Sequence, residues 1–214
     1  DCGFNYTTGM YENTKELYLK GLDLAQQVGM KYYVRDYSFT DGCIEGIIAA
    51  ANSEEEAQAM LEQQQVSIKA RFEEYSEYES FAGVLAVDEP AAARYPAIKV
   101  MNAWYEENFP ETEFQVNLLP TYASLNQLFG TADTDKTYKD DYVGYFNEYV
   151  DTAVLSYDHY ALSKIGTTNR LSNTYLQNLE IFANLAKESG KPFYVFLLTL
   201  GHWDYRTMEY YRDI

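Results

Sequence analysis

Phe81-Ala-Gly-Val-Leu-Ala-Val-Asp88-Glu89-Pro90 is an apolar run that delivers two adjacent carboxylates and is closed by a proline. Its centre, Val84-Leu-Ala-Val87, has no polar residue to turn toward water, which reads as a strand covered on both sides in a parallel sheet. The same pattern recurs along the chain. Lys31-Tyr-Tyr-Val-Arg-Asp36, Phe114-Gln-Val-Asn117, Val154-Leu-Ser-Tyr-Asp158-His159-Tyr160 and Phe193-Tyr-Val-Phe-Leu-Leu-Thr-Leu-Gly-His202-Trp203 each run apolar and stop at a hydrogen-bonding group. Functional side chains of a parallel barrel gather at the C-terminal ends of its strands, so these endings are the candidate site.

The segments between them read as helices. Asn13 or Thr14 caps a helix that Gly29 stops, and Ser53 opens a long helix, rich in surface charge, that runs to about Tyr75. A third follows Pro90 through Val100, Met101 and Trp104 to about Asn108; two more span Tyr138 to Tyr149 and Ser172 to Glu188. Asp41-Gly42 marks a loop. Pro120 to Tyr138 is irregular, with a short helical piece at Ser124 to Phe129 and an exposed acidic tip at Asp133 and Asp135 that lacks the ligand spacing of a calcium loop.

The expected strands are Gly3 to Thr8, Tyr32 to Arg35, Ala82 to Val87, Phe114 to Leu118, Ala153 to Tyr157 and Pro192 to Leu200. Alternating strands and helices imply a parallel sheet with right-handed crossovers, either a closed eight-stranded barrel or an open doubly wound sheet. No Gly-x-Gly-x-x-Gly follows the first strand and no phosphate loop occurs, which removes the nucleotide readings that favour the open sheet. The expectation is an α/β chain, residues 1–214 forming one domain, a (β/α)8 TIM barrel that is incomplete with about six parallel strands visible. A barrel without its first and last strands would begin and end in this way.

Charge narrows the partners. The 33 acidic against 16 basic residues give a net charge of −17, which repels a phosphate backbone and argues against nucleic acid and anionic membrane surfaces. No stretch is long and apolar enough to insert in a membrane. Cys2 reads as a core residue, with a lipoprotein anchor as the alternative, and Cys43 as a loop residue; their spacing demands no pairing. No metal and no cofactor is read, because a metal shared by the two histidines would need a third ligand such as Asp158 or Asp36. The 22 Tyr are the unusual count, and Tyr6, Tyr37, Tyr122, Tyr157, Tyr160 and Trp203 fall at or just beyond strand ends, where a flat apolar face with a polar rim suits a sugar ring.

The ordered series Cys2-Gly-Phe-Asn-Tyr, Val34-Arg-Asp36, Gly83 to Pro90, Gln115-Val-Asn-Leu-Leu-Pro120, Ser156-Tyr-Asp-His-Tyr160 and Lys191-Pro-Phe-Tyr-Val-Phe196 resembles the large (β/α)8-barrel glycoside hydrolase superfamily that includes β-galactosidases, cellulases and agarases. If the first strand here is that family's second, Asp88-Glu89-Pro90 falls on its fourth, where Asn-Glu-Pro is usual and the Glu is the general acid/base. The resemblance implies a bacterial carbohydrate-degrading hydrolase, secreted or at the cell surface with a cytoplasmic location as the alternative, acting on a β-linked oligo- or polysaccharide. Two departures stand out. Asp88 replaces the Asn, and the strand expected to carry the nucleophilic Glu ends Thr199-Leu-Gly-His202-Trp203, with Glu209 the closest later Glu. A carbohydrate-binding barrel without a nucleophile is therefore the alternative, and a lyase or isomerase using His159 or His202 as base a third.

Glycoside cleavage needs a proton for the leaving oxygen and a carboxylate opposite. Glu89 supplies the proton if Asp88 and an apolar strand end raise its pKa. Asp158 is the best second carboxylate, with Asp36 behind it; it could instead position a hydroxyl or pair with Arg35 or His159. Asn5 and Asn117 suit hydroxyl recognition, each offering donor and acceptor. The catalytic candidates are Glu89 and Asp158; the substrate-binding candidates are Asn5, Tyr6, Asp36, Asp88, Asn117, Tyr122, His159, Tyr160, His202 and Trp203.

Overall fold

The computed structural model describes residues 3–9, 12–37, 39–165 and 168–197. Cys2, His202 and Trp203 lie outside the described residues, as do the last three residues of the expected strand Pro192 to Leu200. The order is β1 (Tyr6–Thr8), α1 (Lys15–Gln27), β2 (Lys31–Val34), α2 (Ile44–Ala50), α3 (Glu54–Ser76), β3 (Phe81–Asp88), α4 (Tyr95–Asn108) and β4 (Glu113–Leu118). Then come α5 (Leu125–Phe129), a π-helical stretch (Tyr138–Gly144) running into α6 (Tyr145–Tyr149), β5 (Leu155–Asp158), β6 (Leu162–Ile165), β7 (Thr168–Leu171), α7 (Tyr175–Ser189) and β8 (Phe193–Phe196). No helix among the described residues is long and apolar enough to cross a membrane.

Six strands form one all-parallel sheet in the order β1-β2-β3-β4-β5-β8. The sheet curls into a half barrel. Its two edge strands, β1 and β8, line a common cavity with Gln115 of β4, and the Glu113 carboxylate of β4 accepts hydrogen bonds from Tyr33 of β2 and Tyr194 of β8. Side chains from strands so far apart in the order can meet only on the concave face of a curved sheet.

The convex face carries the core. Tyr32, Val34, Val84, Ala86, Phe114, Val116, Leu118, Leu155 and Tyr157 pack against the helices through Leu22, Phe72, Tyr95, Ile98, Met101 and Phe182. Much of the tyrosine content belongs here: Tyr18, Tyr75, Tyr95, Tyr105, Tyr142 and Tyr157 are fully buried. Tyr157, expected at a sugar-facing strand end, instead stacks on Phe182 with ring centroids 4.1 Å apart. Its position one residue before Asp158 puts it on the opposite face of β5, because side chains alternate along a strand.

Helix starts follow the expected caps. Thr14 accepts from Leu17 N at 3.3 Å, and Ser53 from Glu56 N at 3.1 Å. The loop expected at Asp41-Gly42 is shorter than anticipated. Cys43, a buried free thiol, caps α2 by accepting from Gly46 N at 3.2 Å, and Ile44, Ile47 and Ile48 bury one face of that helix. The β6–β7 hairpin, an antiparallel excursion between β5 and α7, was not anticipated either.

One backbone position is closed to any side chain. Gly83 has φ of +142°, and a Cβ there would lie 2.1 Å from the Glu113 carbonyl oxygen and 2.6 Å from its nitrogen. Both obstacles are main chain of the neighbouring strand, so neither can swing aside. Gly83→Ala is expected to lower stability by about 2–3 kcal/mol in urea unfolding; a loss below about 0.5 kcal/mol would show that β3 and β4 separate freely there.

Candidate functional site

Two departures from regular strand geometry build the site at the end of β3. Leu85 pairs with Gln115, but Val87 pairs with Val116 and Asp88 with Asn117, so Ala86 is an extra residue that shifts the register. Leu85 and Asp88 thereby reach the same concave face, where strict alternation would have sent Asp88 outward. Glu89 then takes a left-handed backbone conformation, φ +49°. Two consecutive residues that would diverge on an extended strand line one cavity instead.

The surroundings hold that conformation. Glu89 N donates to the Asn117 carbonyl at 2.8 Å, continuing the sheet ladder by one step. The next residue is held from the helical side: Tyr142 OH, on the π-helical stretch, donates to the Pro90 carbonyl at 2.6 Å and accepts from Leu119 N at 3.2 Å. A non-glycine residue with positive φ is costly, and such strain concentrates at functional sites.

Asn117 is the hub of the cluster. Its Nδ2 donates to Asp88 Oδ1 at 2.9 Å and to Asp158 Oδ1 at 3.4 Å, while its Oδ1 accepts from Ser156 Oγ at 3.3 Å. Gln115 Nε2 donates to Ser156 Oγ at 3.4 Å, one layer deeper. Asp88 also meets Arg35 Nη1 at 3.5 Å, and Arg35 pairs with Glu45 at 3.0 and 3.2 Å. The Glu89 and Asp158 side chains are hydrogen-bonded to each other, and the Tyr160 hydroxyl bonds Asp158.

These carboxyls cannot all ionise together. Burial against the cavity wall pushes Glu89 up to about 7, with the negative charges of Asp158 and Asp88 acting in the same direction. Burial and then the Asp88 charge push Asp158 up to about 6, opposed by the hydrogen bonds from Glu89 and Asn117. The two groups therefore titrate as a pair, and between their two pKa values a single proton is shared between them. Glu89 remains exposed to solvent, so a ligand can reach that proton.

The cavity around them has a volume of about 230 Å3, and Leu85, Phe196 and Leu197 supply its apolar wall. Thus Asp88, Glu89, Asn117, Asp158 and Tyr160 converge as the strand endings suggested. Arg35, Gln115 and Tyr142 were missed as members of the site. Arg35 directly follows β2, at the same end of the sheet where Asp88 closes β3, and that signal was available.

Other candidates sit elsewhere. Asp36, 2% exposed, turns away into a bidentate ion pair with Arg71 of α3, so it faces the helical layer rather than the bowl. Asn5 precedes β1 and offers its carbonyl to Lys31 N at 2.8 Å. Tyr6 stacks on Tyr33 at 5.8 Å in the neighbouring cavity. Both belong to the N-terminal end of the sheet, opposite Glu89, because β1 starts at Tyr6 rather than Gly3.

His159 does not face the cavity, being only 1% exposed, with Nδ1 bonded to Asn178 at 2.9 Å and Nε2 to Ser172 at 3.1 Å. Burial lowers its pKa, and with both ring nitrogens engaged it is a structural imidazole. Tyr122 packs edge-on against that ring at 4.9 Å, outside the cavity wall. Among the described residues no three His, Cys, Asp or Glu side chains are arranged to hold a metal ion.

Fold and site together define an α/β half barrel with a cluster of three carboxyl groups at the C-terminal edge of its parallel sheet. Comparison with protein families, curated proteins and solved structures returns no match for the chain.

Proposed function

We propose that this chain is a glycoside hydrolase acting on a β-linked oligo- or polysaccharide, with Glu89 as its general acid/base, and that the half barrel is six strands of a (β/α)8 barrel. The observation that carries the reading is the Glu89 carboxyl, exposed at a strand end in a cavity beside Asp88 and Asp158, where burial and their charges push its pKa up to about 7. A carboxylic acid that keeps its proton near neutral pH can deliver it to a departing glycosidic oxygen. Once ionised beside Asp88 and Asp158, Glu89 is poised to take a proton back from water.

Asp158 has a different part from the one its sequence position suggests. Paired carboxyls lie about 5–5.5 Å apart in retaining enzymes and about 6.5–9.5 Å apart in inverting ones. A hydrogen-bonded pair is closer than either, leaving no room for a sugar ring between the two groups. In this reading Asp158 holds the proton of Glu89 in place, and Asp88, oriented by Asn117 and Arg35, accepts from a sugar hydroxyl. The opposing carboxylate is then none of the carboxyls described on this wall.

That close pairing also favours a second reading, a carbohydrate-binding barrel without turnover. Incubation with a panel of aryl β-glycosides and β-linked oligosaccharides separates the two. Turnover is expected on at least one, declining as the pH rises through about 7, where Glu89 loses its proton. Binding without turnover would leave the second reading standing, and neither binding nor turnover would end both.

A further inference from the structure

Among the described residues the cavity wall carries three carboxyl groups, from Asp88, Glu89 and Asp158, and no Lys, Arg or His side chain. Arg35 does not redress the balance. Its guanidinium is engaged by Glu45 at 3.0 and 3.2 Å and reaches Asp88 only at 3.5 Å. One proton shared by Glu89 and Asp158 leaves two negative charges on the wall.

Hydrogen-bond capacity is lopsided in the same sense. The Asn117 amide hydrogens are taken by Asp88 and Asp158, and the Tyr160 hydroxyl by Asp158. One layer deeper on the same concave face Gln115, 3% exposed, has an Oε1 acceptor with no partner. It lines the adjoining cavity of about 420 Å3, which shares Phe196 and Leu197 with the Glu89 cavity. Around the Glu89 cavity the described acceptors outnumber the described donors, so that wall is matched by a ligand that brings donors and positive charge.

We propose that the substrate is a cationic amino sugar, a β-linked glycan bearing protonated primary amines, with Asp88 and Asp158 forming the ammonium subsite. This rests on the glycoside hydrolase reading and names its substrate class. Arg35 is shared between Asp88 and Glu45, one cation for two carboxylates, so a neutral N-acetylated sugar leaves that excess negative charge unanswered and a uronate adds repulsion; the wall discriminates by charge as well as shape.

Isothermal titration of the full chain tests it, at about pH 6, where a primary amine of ordinary pKa near 8 is protonated. The probes are β-linked oligomers of glucosamine and galactosamine, with their N-acetylated counterparts. An amine oligomer is expected to bind about tenfold or more tightly than its acetylated partner. Asp88→Asn should reduce that preference to below about twofold, whereas Glu54→Gln, which removes the same charge from a distant helix, should leave it intact. If Asp88→Asn does not fold, judged by near-UV circular dichroism, Asp158→Asn is read in its place.

Equal affinity for amine and acetylated oligomers would overturn the proposal. So would a preference that survives in the cavity variant, because general attraction to a chain of net charge −17 would then explain it. Turnover of neutral sugars without amine preference would sink the amine alone. Failure of every sugar to bind would also remove the reading beneath it.

Discussion

Replacing Glu89 with glutamine is expected to lower kcat on glycosides with poor leaving groups by about 10²–10⁴-fold, the usual contribution of a positioned general acid. Glutamine keeps the shape and can still donate a hydrogen bond to Asp158, but it has no proton to transfer. The loss should shrink sharply for a dinitrophenyl glycoside, whose leaving group departs without protonation. An activity loss independent of leaving group would assign Glu89 to binding rather than proton transfer.

The same substitution should raise stability at neutral pH. Glu89 has a folded pKa of about 7, above the ordinary 4.5. Below the ordinary value both folded and unfolded states hold the proton and there is no penalty. As the pH rises, the unfolded chain ionises first and stability falls, until above about 7 the folded carboxylate bears the full repulsion of Asp88 and Asp158. Because Glu89 is open to solvent, screening reduces the penalty to the order of 1 kcal/mol. Urea melts should show Glu89→Gln more stable than wild type at pH about 8 and equal to it at about 4. Equal stability at both would mean that the three carboxyls do not sense one another.

The fold was legible because apolar runs separated by helical periods leave few alternatives, and all six sheet strands fall where those runs lie. What escaped was what deviates from period. The extra residue at Ala86 and the left-handed Glu89 bring Asp88 and Glu89 to one cavity, and neither leaves a mark such as glycine or asparagine in Ala86-Val-Asp-Glu-Pro90. Strand-end position found Glu89, Asp88, Asn117, Asp158 and Tyr160, yet the same rule also selected His159 and Asp36. Sequence position gives the end of a strand but not the direction of a side chain in the following loop. His159 turns to Asn178, and Asp36 to Arg71, a partner 35 residues later. The tyrosines misled for a related reason: a phenol ring packs in a core as readily as at a sugar-facing rim, as Tyr157 does on Phe182, and Tyr18 and Tyr142 satisfy their buried hydroxyls at Glu12 O and Pro90 O.

Arg71→Ala is expected to destabilise the chain by about 3–5 kcal/mol, the range for stranding one partner of a buried ion pair. Arg71 is 5% exposed, and its Nε and Nη2 bond the Asp36 carboxylate at 2.8 to 3.1 Å. Nη2 also donates to Gly42 O at 2.5 Å, and Nη1 pairs with Asp41 at 3.3 Å. Burial raises Asp36 to about 6 even though Arg71 opposes it, so the pair is ionised at neutral pH and loses its charge on acidification. The penalty in Arg71→Ala should therefore be smallest below about pH 6 and grow as the pH rises above it, levelling off only above the pKa of the stranded carboxyl, which lies higher still once Arg71 no longer lowers it. Arg71→Met with Asp36→Leu, which removes both charges and keeps bulk, should recover most of the loss. A double variant no better than Arg71→Ala would show that hydrogen bonds to the 41–42 loop, rather than the ion pair, hold α3 to β2. The pair also reaches the site. Asp36 directly follows Arg35, whose carbonyl accepts from Tyr18 OH and whose guanidinium meets Asp88. Freed from Arg71, this turn no longer fixes Arg35, and Asp88 loses its cation, so activity should fall more steeply than the folded fraction does.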